Sequence, residues 1–189
     1  MKAKIFLAVL AKRRLVTGAV SLIFFLGSIS AAFALGSPWV TVGSAGTADE
    51  ANVDYVSFSG GIASIDSSAP EAVSAVLRYN IVSAPDLEDA GANVAMKVRF
   101  RDNGANARVV VSLKRYSMDN GGSYTMLTFD SNDMPSSTVY QTATVQDGCS
   151  GPHFDFQNYS YYLEVTLSRT SSAGTPAFSI AQLFDIDIC

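Results

Sequence analysis

The sequence predicts an all-β protein, an antiparallel β-sandwich of the jelly-roll type with about eight to ten strands. Three observations predict this fold. Apolar and polar residues alternate along most of the chain after the first 34 residues, as in strands that turn one face to a core. Clusters of Asp, Asn, Gly and Ser separate the alternating segments, as turns require. No long segment shows the 3.6-residue period of an amphipathic helix.

The predicted strands fall into two groups by the strength of their alternation. The strongest are Val73–Ile81, Val94–Phe100, Val109–Leu113, Tyr159–Leu167 and Phe178–Ile188. In the last of these, the residues of one parity are predicted to face the core: Phe178, Ile180, Phe184, Ile186 and Ile188. The weaker strands are Trp39–Val42, Tyr55–Phe58, Gly61–Ile65, Tyr124–Phe129 and Val139–Val145. Residues 43–52 are predicted to form a loop, and Pro85–Asp89 one helical turn. Long connections favour a jelly-roll sandwich over an up-and-down barrel.

One turn allows a strand register to be predicted. Asn103-Gly104 is a dipeptide favoured at the centre of a type I′ hairpin turn, where both residues need a positive φ angle. A hairpin centred there would place Arg99 opposite Arg108 and would make each core-facing residue meet another apolar residue. The predicted apolar pairs are Phe100–Ala107, Val98–Val109, Met96–Val111 and Val94–Leu113.

The N-terminal 34 residues have the pattern of a secretory signal peptide. Basic residues precede Leu15, residues 15–34 carry no charge, and the segment ends in Ala32-Phe33-Ala34, which is an A-x-A cleavage site. The alternative is a membrane anchor, because a helix of about 20 residues spans a bilayer. No basic cluster follows the segment, which favours cleavage after Ala34. We therefore expect a secreted or periplasmic domain of residues 35–189, with no membrane insertion after cleavage.

The net charge and the two cysteines of the expected exported domain indicate its partners and its covalent links. It contains eight basic and all seventeen acidic residues, so its net charge is 8 − 17 = −9. A strongly acidic domain opposes non-specific binding of nucleic acid, which we therefore do not expect as a partner. Cys149 and Cys189 are the two cysteines of the chain. Because disulfides persist outside the cytoplasm, we predict that these cysteines pair and attach the chain end to a loop.

Six of the eight basic residues of this domain lie between positions 97 and 115: Lys97, Arg99, Arg101, Arg108, Lys114 and Arg115. Like charges on opposing strands destabilise a sheet, so an acidic partner is expected nearby. Either Glu164 on a neighbouring strand or an anionic ligand could provide it. Tyrosines with outward parity could also stack on sugar rings. The candidate binding residues are Lys97, Arg99, Arg101, Arg108, Tyr116 and Tyr162.

Other chemistry has weaker support. Asp130-Ser131-Asn132-Asp133 and Asp119-Asn120 could offer oxygen ligands to a structural Ca²⁺, although the same residues also suit turns. His153 is the single histidine, and with Asp155 and Ser150 it would be the one candidate for a hydrolytic triad. No G-x-S-x-G motif accompanies them. We therefore predict no catalytic residue and no metal ligand set.

These observations predict a secreted, non-catalytic β-sandwich module that binds a glycan or another surface polymer. The alternative is a structural or assembly protein of the cell surface or extracellular matrix, whose mark would be an unpaired strand edge or a large apolar patch. A hydrolase that uses His153 and Asp155 is a third, less favoured interpretation, which would need both residues in an open cleft.

Overall fold

The computed structural model describes residues 37–87, 93–146 and 153–186. This part contains eleven β-strands. Their bounds are β1 Trp39–Val42, β2 Thr47–Ala48, β3 Val56–Ser59, β4 Ile62–Ile65, β5 Val73–Ile81, β6 Asn93–Asp102, β7 Ala107–Ser117, β8 Ser123–Asp130, β9 Ser137–Gln146, β10 Tyr159–Arg169 and β11 Ala177–Ile186. Short 3₁₀ segments lie at Gly43–Ala45, Glu50–Tyr55, Pro85–Leu87 and Ser131–Asp133.

The strands form two antiparallel sheets, which confirms the predicted sandwich. The front sheet has the order β3-β4-β11-β6-β9, and β1 pairs with the same edge of β11 as β4 does. The back sheet has the order β2-β5-β10-β7-β8. The ten predicted strands all occur, as β1 and β3 to β11, while β2 is a two-residue strand within the segment predicted to be a loop.

The core lies between the two sheets and consists of the inward residues of each strand. Fully buried members include Leu77, Met96, Val98, Phe100, Leu113, Leu163, Leu167, Phe178 and Leu183. Two aromatic pairs connect the sheets. Tyr79 and Phe178 meet edge to face with ring centroids 5.3 Å apart, and the centroids of Phe100 and Phe129 are 4.7 Å apart. Such contacts stabilise a sandwich beyond the burial of apolar area.

The predicted β6–β7 hairpin is wrong, because β6 belongs to the front sheet and β7 to the back sheet. Phe100 pairs with Phe178 of β11 instead of Ala107. Asn103 does not take the positive φ angle that a type I′ turn requires. Its amide group instead binds the β10–β11 connection, donating to Ala173 O at 2.7 Å and accepting from Thr175 N at 2.6 Å. These contacts hold the β6–β7 connection against the β10–β11 connection, where the chain passes from the front sheet to the back sheet.

The predicted inward face of the last strand is also only partly correct. Phe178 is buried in the core, but the register between β11 and β6 shifts between Phe178 and Ile180. A bulge of this kind inserts one residue and reverses the parity of the residues that follow. Ala181 and Leu183 therefore enter the core, whereas Ile180, Phe184 and Ile186 lie on the outer face of the front sheet.

Several sequence predictions lie outside the described residues. They are the signal peptide at residues 1–34, the disulfide between Cys149 and Cys189, and the inward position of Ile188. Within the described ranges, no helix is long and apolar enough to cross a bilayer.

Candidate functional site

The structure divides the six predicted binding residues between the two outer faces of the sandwich. Lys97, Arg99 and Arg101 project from β6 on the front sheet. Arg108 and Tyr116 of β7 and Tyr162 of β10 project from the back sheet. Because the sheets pack through their inner faces, the two groups lie on opposite sides of the domain and cannot contact one ligand together.

The charged residues of the back sheet are largely paired. Arg108 Nε donates to Asp130 Oδ1 at 3.0 Å. Lys114 Nζ lies 2.5 Å from Glu164 Oε1, and Arg78 contacts the other oxygen of Glu164 at 3.5 Å. Glu164 therefore neutralises part of the basic cluster, as predicted, but it does so for Lys114 rather than for the residues of β6.

The two tyrosines among the predicted binding residues have different surroundings. The hydroxyl of Tyr162 lies 2.9 Å from Ser123 Oγ on β8. Tyr116 is 45% exposed, and its neighbour across the sheet is Ser160 of β10. The ring of Tyr116 is therefore accessible. However, the nearby charge of Lys114 is paired with Glu164, and the cations of the predicted site on β6 lie on the other sheet.

The Arg108–Asp130 pair predicts an acid dependence of stability. The hydrogen bond from Arg108 holds the pKa of Asp130 below its usual value. In acid, the unfolded state therefore binds more protons than the folded state. The pair's contribution to the free energy of unfolding is fully present above the unfolded pKa of about 3.9 and is lost as the pH falls through the folded pKa. We expect Asp130→Asn to flatten the fall in urea midpoint below pH ~4, while changing neutral stability by less than about 1 kcal/mol because solvent at the half-exposed Arg108 screens the pair. Parallel midpoint curves for parent and variant would contradict this prediction.

The outer face of the front sheet combines apolar and basic side chains in rows across four strands. The rows run over β1, β11, β6 and β9, in that order: Val42–Ile180–Arg99–Thr142 and Val40–Gln182–Lys97–Thr144. Val40 is 49% exposed and Val42 41%. With strands about 4.8 Å apart, the four strands present a surface about 14 Å wide. We call this surface the front face.

An aromatic ring orders two of the cations on the front face. The Cζ atoms of Arg99 and Arg101 lie 5.5 Å and 5.4 Å from the centroid of the Tyr140 ring. Cation–π contact at these distances contributes about 0.5–1 kcal/mol at an exposed site and restricts the guanidinium groups. Tyr140 was not among the predicted site residues. Its signal was its shared parity with Thr142 and Thr144 on the predicted strand.

The front face is the part of the described domain where basic groups are least neutralised. No carboxylate oxygen of the described residues lies within 4 Å of Lys97, Arg99 or Arg101. Of the other five basic residues of this domain, Arg78, Arg108 and Lys114 form ion pairs with carboxylates. Arg115 lies over the rings of Tyr124 and Tyr159 and Arg169 binds backbone carbonyls, so these two, on strands of the back sheet, likewise have no described carboxylate within 4 Å. The front face can therefore attract an anion to a domain that is acidic as a whole.

The residues considered for catalysis and calcium binding have structural contacts. Asp155 accepts hydrogen bonds from Gln157 N at 3.1 Å and Asn158 Nδ2 at 2.7 Å, and the latter lowers the pKa of Asp155. This carboxylate thus organises the turn before β10, while Ser150 lies outside the described residues. Asp130, considered as a Ca²⁺ ligand, binds Arg108 instead. Within residues 37–87, 93–146 and 153–186, no three acidic, histidine or cysteine side chains form a metal cluster.

Comparisons with known proteins give similarities at the level of architecture. No protein-family model and no curated protein matches the chain. It is similar to the CBM36-1 domain of a multidomain xylanase from the hindgut metagenome of Trinervitermes trinervoides, with 11% identity, a TM-score of 0.46 and coverage of 80% of this chain and 100% of that domain. A second carbohydrate-binding module, the CBM22-1 xylan-binding domain from Paenibacillus barcinonensis Xyn10C, has 10% identity, a TM-score of 0.41 and coverage of 82% and 97%. The ligands in these names are properties of those proteins.

Proposed function

We propose that this protein is a secreted, non-catalytic β-sandwich module that binds an acidic polysaccharide or a similar anionic surface polymer on its front face. The observation that carries the proposal is the group of Lys97, Arg99 and Arg101, which has no described carboxylate within 4 Å and whose two arginines are ordered by Tyr140. Guanidinium groups bind carboxylates and sulfates through paired, charge-assisted hydrogen bonds.

The shape of the front face supports a polymer as the ligand. The face is an open sheet surface in which exposed Val40 and Val42 and half-buried Ile180 lie beside the cations of β6. A polysaccharide that carries acidic groups has both surfaces needed to match it, because each sugar ring has an apolar face and the acidic groups project at the ring edge. Sulfate or uronate groups would contact β6 while sugar rings lie over β1 and β11.

The alternative function, assembly of a cell-surface structure, has one supporting observation. Strand β9 pairs with β6 on one side, and no described strand pairs with its other side. It is ten residues long, and free strand edges can pair with another chain. The outward residues Thr142 and Thr144 are polar, and Val139, 68% exposed, is the one large apolar residue exposed on this strand. One such residue is too little for the apolar surface of a dry interface. We therefore favour polymer binding.

Replacing Arg99 with glutamine is expected to weaken binding of an acidic polymer about tenfold, because one charge-assisted contact is lost. Affinity can be measured from the mobility of the purified exported protein in native gels that contain polygalacturonate, dextran sulfate or neutral dextran. We expect retardation in the two acidic gels and none in dextran. The retardation should decrease with added salt, because the Debye length shortens.

Arg108→Gln is the matched control. It removes the same charge from the back sheet, so its affinity should stay within about twofold of the parent. Equal retardation by neutral dextran, or an equal loss in Arg108→Gln, would contradict the proposal. A parent that no acidic polymer retards, but whose mass in light scattering rises with concentration, would instead favour the assembly function.

A further inference from the structure

A pocket of about 190 Å³ opens at one end of the sandwich, beside the front face. It lies where β6 meets the β4–β5 and β10–β11 connections. Its polar lining consists of two arginines and four hydroxyl residues: Arg101, Arg169, Ser64, Ser67, Ser172 and Thr175. The volume is many times the ~10–15 Å³ that one water molecule needs. It can therefore hold a chemical group as large as a carboxylate or sulfate.

Backbone carbonyls fix both arginines in place. Arg101 Nε donates to Thr175 O at 3.2 Å. Arg169 is only 6% exposed, and it donates from Nε to Pro70 O at 3.1 Å and from Nη2 to Ala69 O. A guanidinium group has five N–H donors, so these bonds use one donor of Arg101 and two of Arg169. The remaining donors form no hydrogen bond to the described part of the chain and are available to a ligand.

A neighbouring carboxylate, that of Asp66, is close enough to interact with the charge of Arg169. Asp66 precedes Ser67, and its Oδ1 accepts from the backbone N and the hydroxyl of Ser68 at 2.8 Å and 2.6 Å. Those two bonds and, to a smaller extent, the charge of Arg169 lower the pKa of Asp66, so this carboxylate is ionised at neutral pH. It offsets one arginine, and the second cation, Arg101, remains without a described carboxylate within 4 Å.

Arg101 connects the pocket to the front face. The Cζ atom of Arg101 lies 5.4 Å from the Tyr140 centroid on that face, while the same side chain lines the pocket. Across the sheet from Arg101, Ala177 projects only a methyl group, and Ser64 follows it on β4. The small residue leaves room between the guanidinium and the serine hydroxyl.

We infer that this pocket is an oxyanion subsite that holds a carboxylate or sulfate group of the polymer bound on the front face. The inference rests on the proposed function, because it assigns to the pocket one acidic group of the same ligand. Arg101 and Arg169 bind the charged oxygens, and the hydroxyls of Ser64, Ser67 and Ser172 donate further hydrogen bonds. Charge-assisted bonds from fixed donors give such a site its selectivity for an anion.

A nuclear magnetic resonance titration of the full protein with sodium galacturonate, sodium sulfate and galactose tests the subsite directly. At constant ionic strength, we expect saturable shifts of the backbone amides of Ser172, Gly174 and Thr175 with galacturonate or sulfate and none with galactose. A larger response to sulfate than to galacturonate would assign the subsite to sulfate esters, and the reverse order would assign it to uronates.

Ser172→Asp places a negative charge at the exposed side of the pocket and should weaken anion binding at least about tenfold. Ser74→Asp is the matched control, because it adds the same charge on the exposed outer face of β5 in the back sheet. Its affinity should stay within about twofold of the parent. Equal shifts with galactose, or unchanged anion affinity in Ser172→Asp, would overturn the subsite.

The gel and titration measurements separate the two proposals. If Ser172→Asp keeps full retardation by acidic polymers while Arg99→Gln loses it, the subsite is overturned and the proposed function stands. If no acidic polymer retards the parent, the proposed function fails, and the assignment of the pocket to a polymer group fails with it, even where free galacturonate shifts the pocket amides.

Discussion

Replacing Gly43 with alanine should lower the free energy of unfolding by about 3 kcal/mol, through overpacking. Gly43 is buried where the chain leaves β1 of the front sheet to reach β2 of the back sheet. A Cβ atom there would lie 2.2 Å from Phe178 O and 2.6 Å from Ala63 N. Both are backbone atoms of paired strands, so relief requires that β1 move away from β11 and β4.

The same movement would disturb a buried hydrogen bond between the sheets. The hydroxyl of Tyr79 on β5 donates to Gly43 O at 2.7 Å. Burial raises the pKa of Tyr79 above its usual value, so the hydroxyl is protonated and donates at neutral pH. Thermal unfolding followed by circular dichroism should show a Tm about 6–12 °C below that of the parent.

Gly60→Ala is the control for the Gly43 prediction. Gly60 has a φ angle of 57°, and an added Cβ would meet no atom within 4 Å. Gly60→Ala should therefore lower the free energy of unfolding only by the strain of an alanine with a positive φ angle, about 1–2 kcal/mol. If Gly60→Ala lowered the Tm as much as Gly43→Ala does, close approach of the backbone would not be the reason that position 43 needs glycine.

Replacing Ser131 with alanine is expected to cost about 3 kcal/mol, because two buried groups would each lose a partner. The Ser131 hydroxyl accepts from Val109 N at 2.8 Å and donates to Asp102 Oδ2 at 2.5 Å. Asp102 ends β6 in the front sheet, while Val109 belongs to β7 in the back sheet. The three groups therefore connect the sheets where the predicted hairpin would have paired β6 and β7 in one sheet.

Urea unfolding of a double-mutant cycle can check this network. Because Asp102→Ala and Ser131→Ala remove the same hydrogen bond, the double variant should be more stable than the sum of the single losses implies, by at least ~0.5 kcal/mol. Ser137→Ala is the control, because its hydroxyl accepts from Val139 N at 3.1 Å at an exposed site. Ser137→Ala should lower the free energy of unfolding by less than about 1 kcal/mol. Additive losses would show that Asp102 and Ser131 act independently.

The strands could be predicted from the sequence because their signal is local. Alternation over five to ten residues is enough to indicate a half-buried strand, and β1 and β5 have the predicted bounds. The parity of β6 likewise placed Lys97, Arg99 and Arg101 on an outward face, where the structure has them. The bulge near Ser179 could not be predicted in this way. One extra residue leaves the pattern of Phe178, Ile180, Phe184 and Ile186 intact while moving the last three outward.

The candidate site likewise combines features that could be predicted from the sequence with contacts that only the tertiary structure shows. The concentration of basic residues between positions 97 and 115 was evident, and the structure separates them because β6 and β7 join different sheets. Tyr140 reaches Arg99 and Arg101 through the pairing of β9 with β6. Arg169 and Arg101 approach one pocket although 68 positions separate them in the printed sequence. The local pattern indicates the outward parity of Tyr140 but neither of these contacts.

The sequence by itself determined the β-sandwich class, the strands, the outward parity of the basic residues on β6 and the acidic balance of the domain. The tertiary structure decided which sheet each strand joins, and with it which cations share a face, which carboxylates neutralise them and where a pocket opens. The reason is physical. Alternation and turn chemistry depend on residues close in the chain, whereas strand pairing depends on packing and hydrogen bonds between distant residues such as Asn103 and Thr175, which can outweigh a favourable local turn.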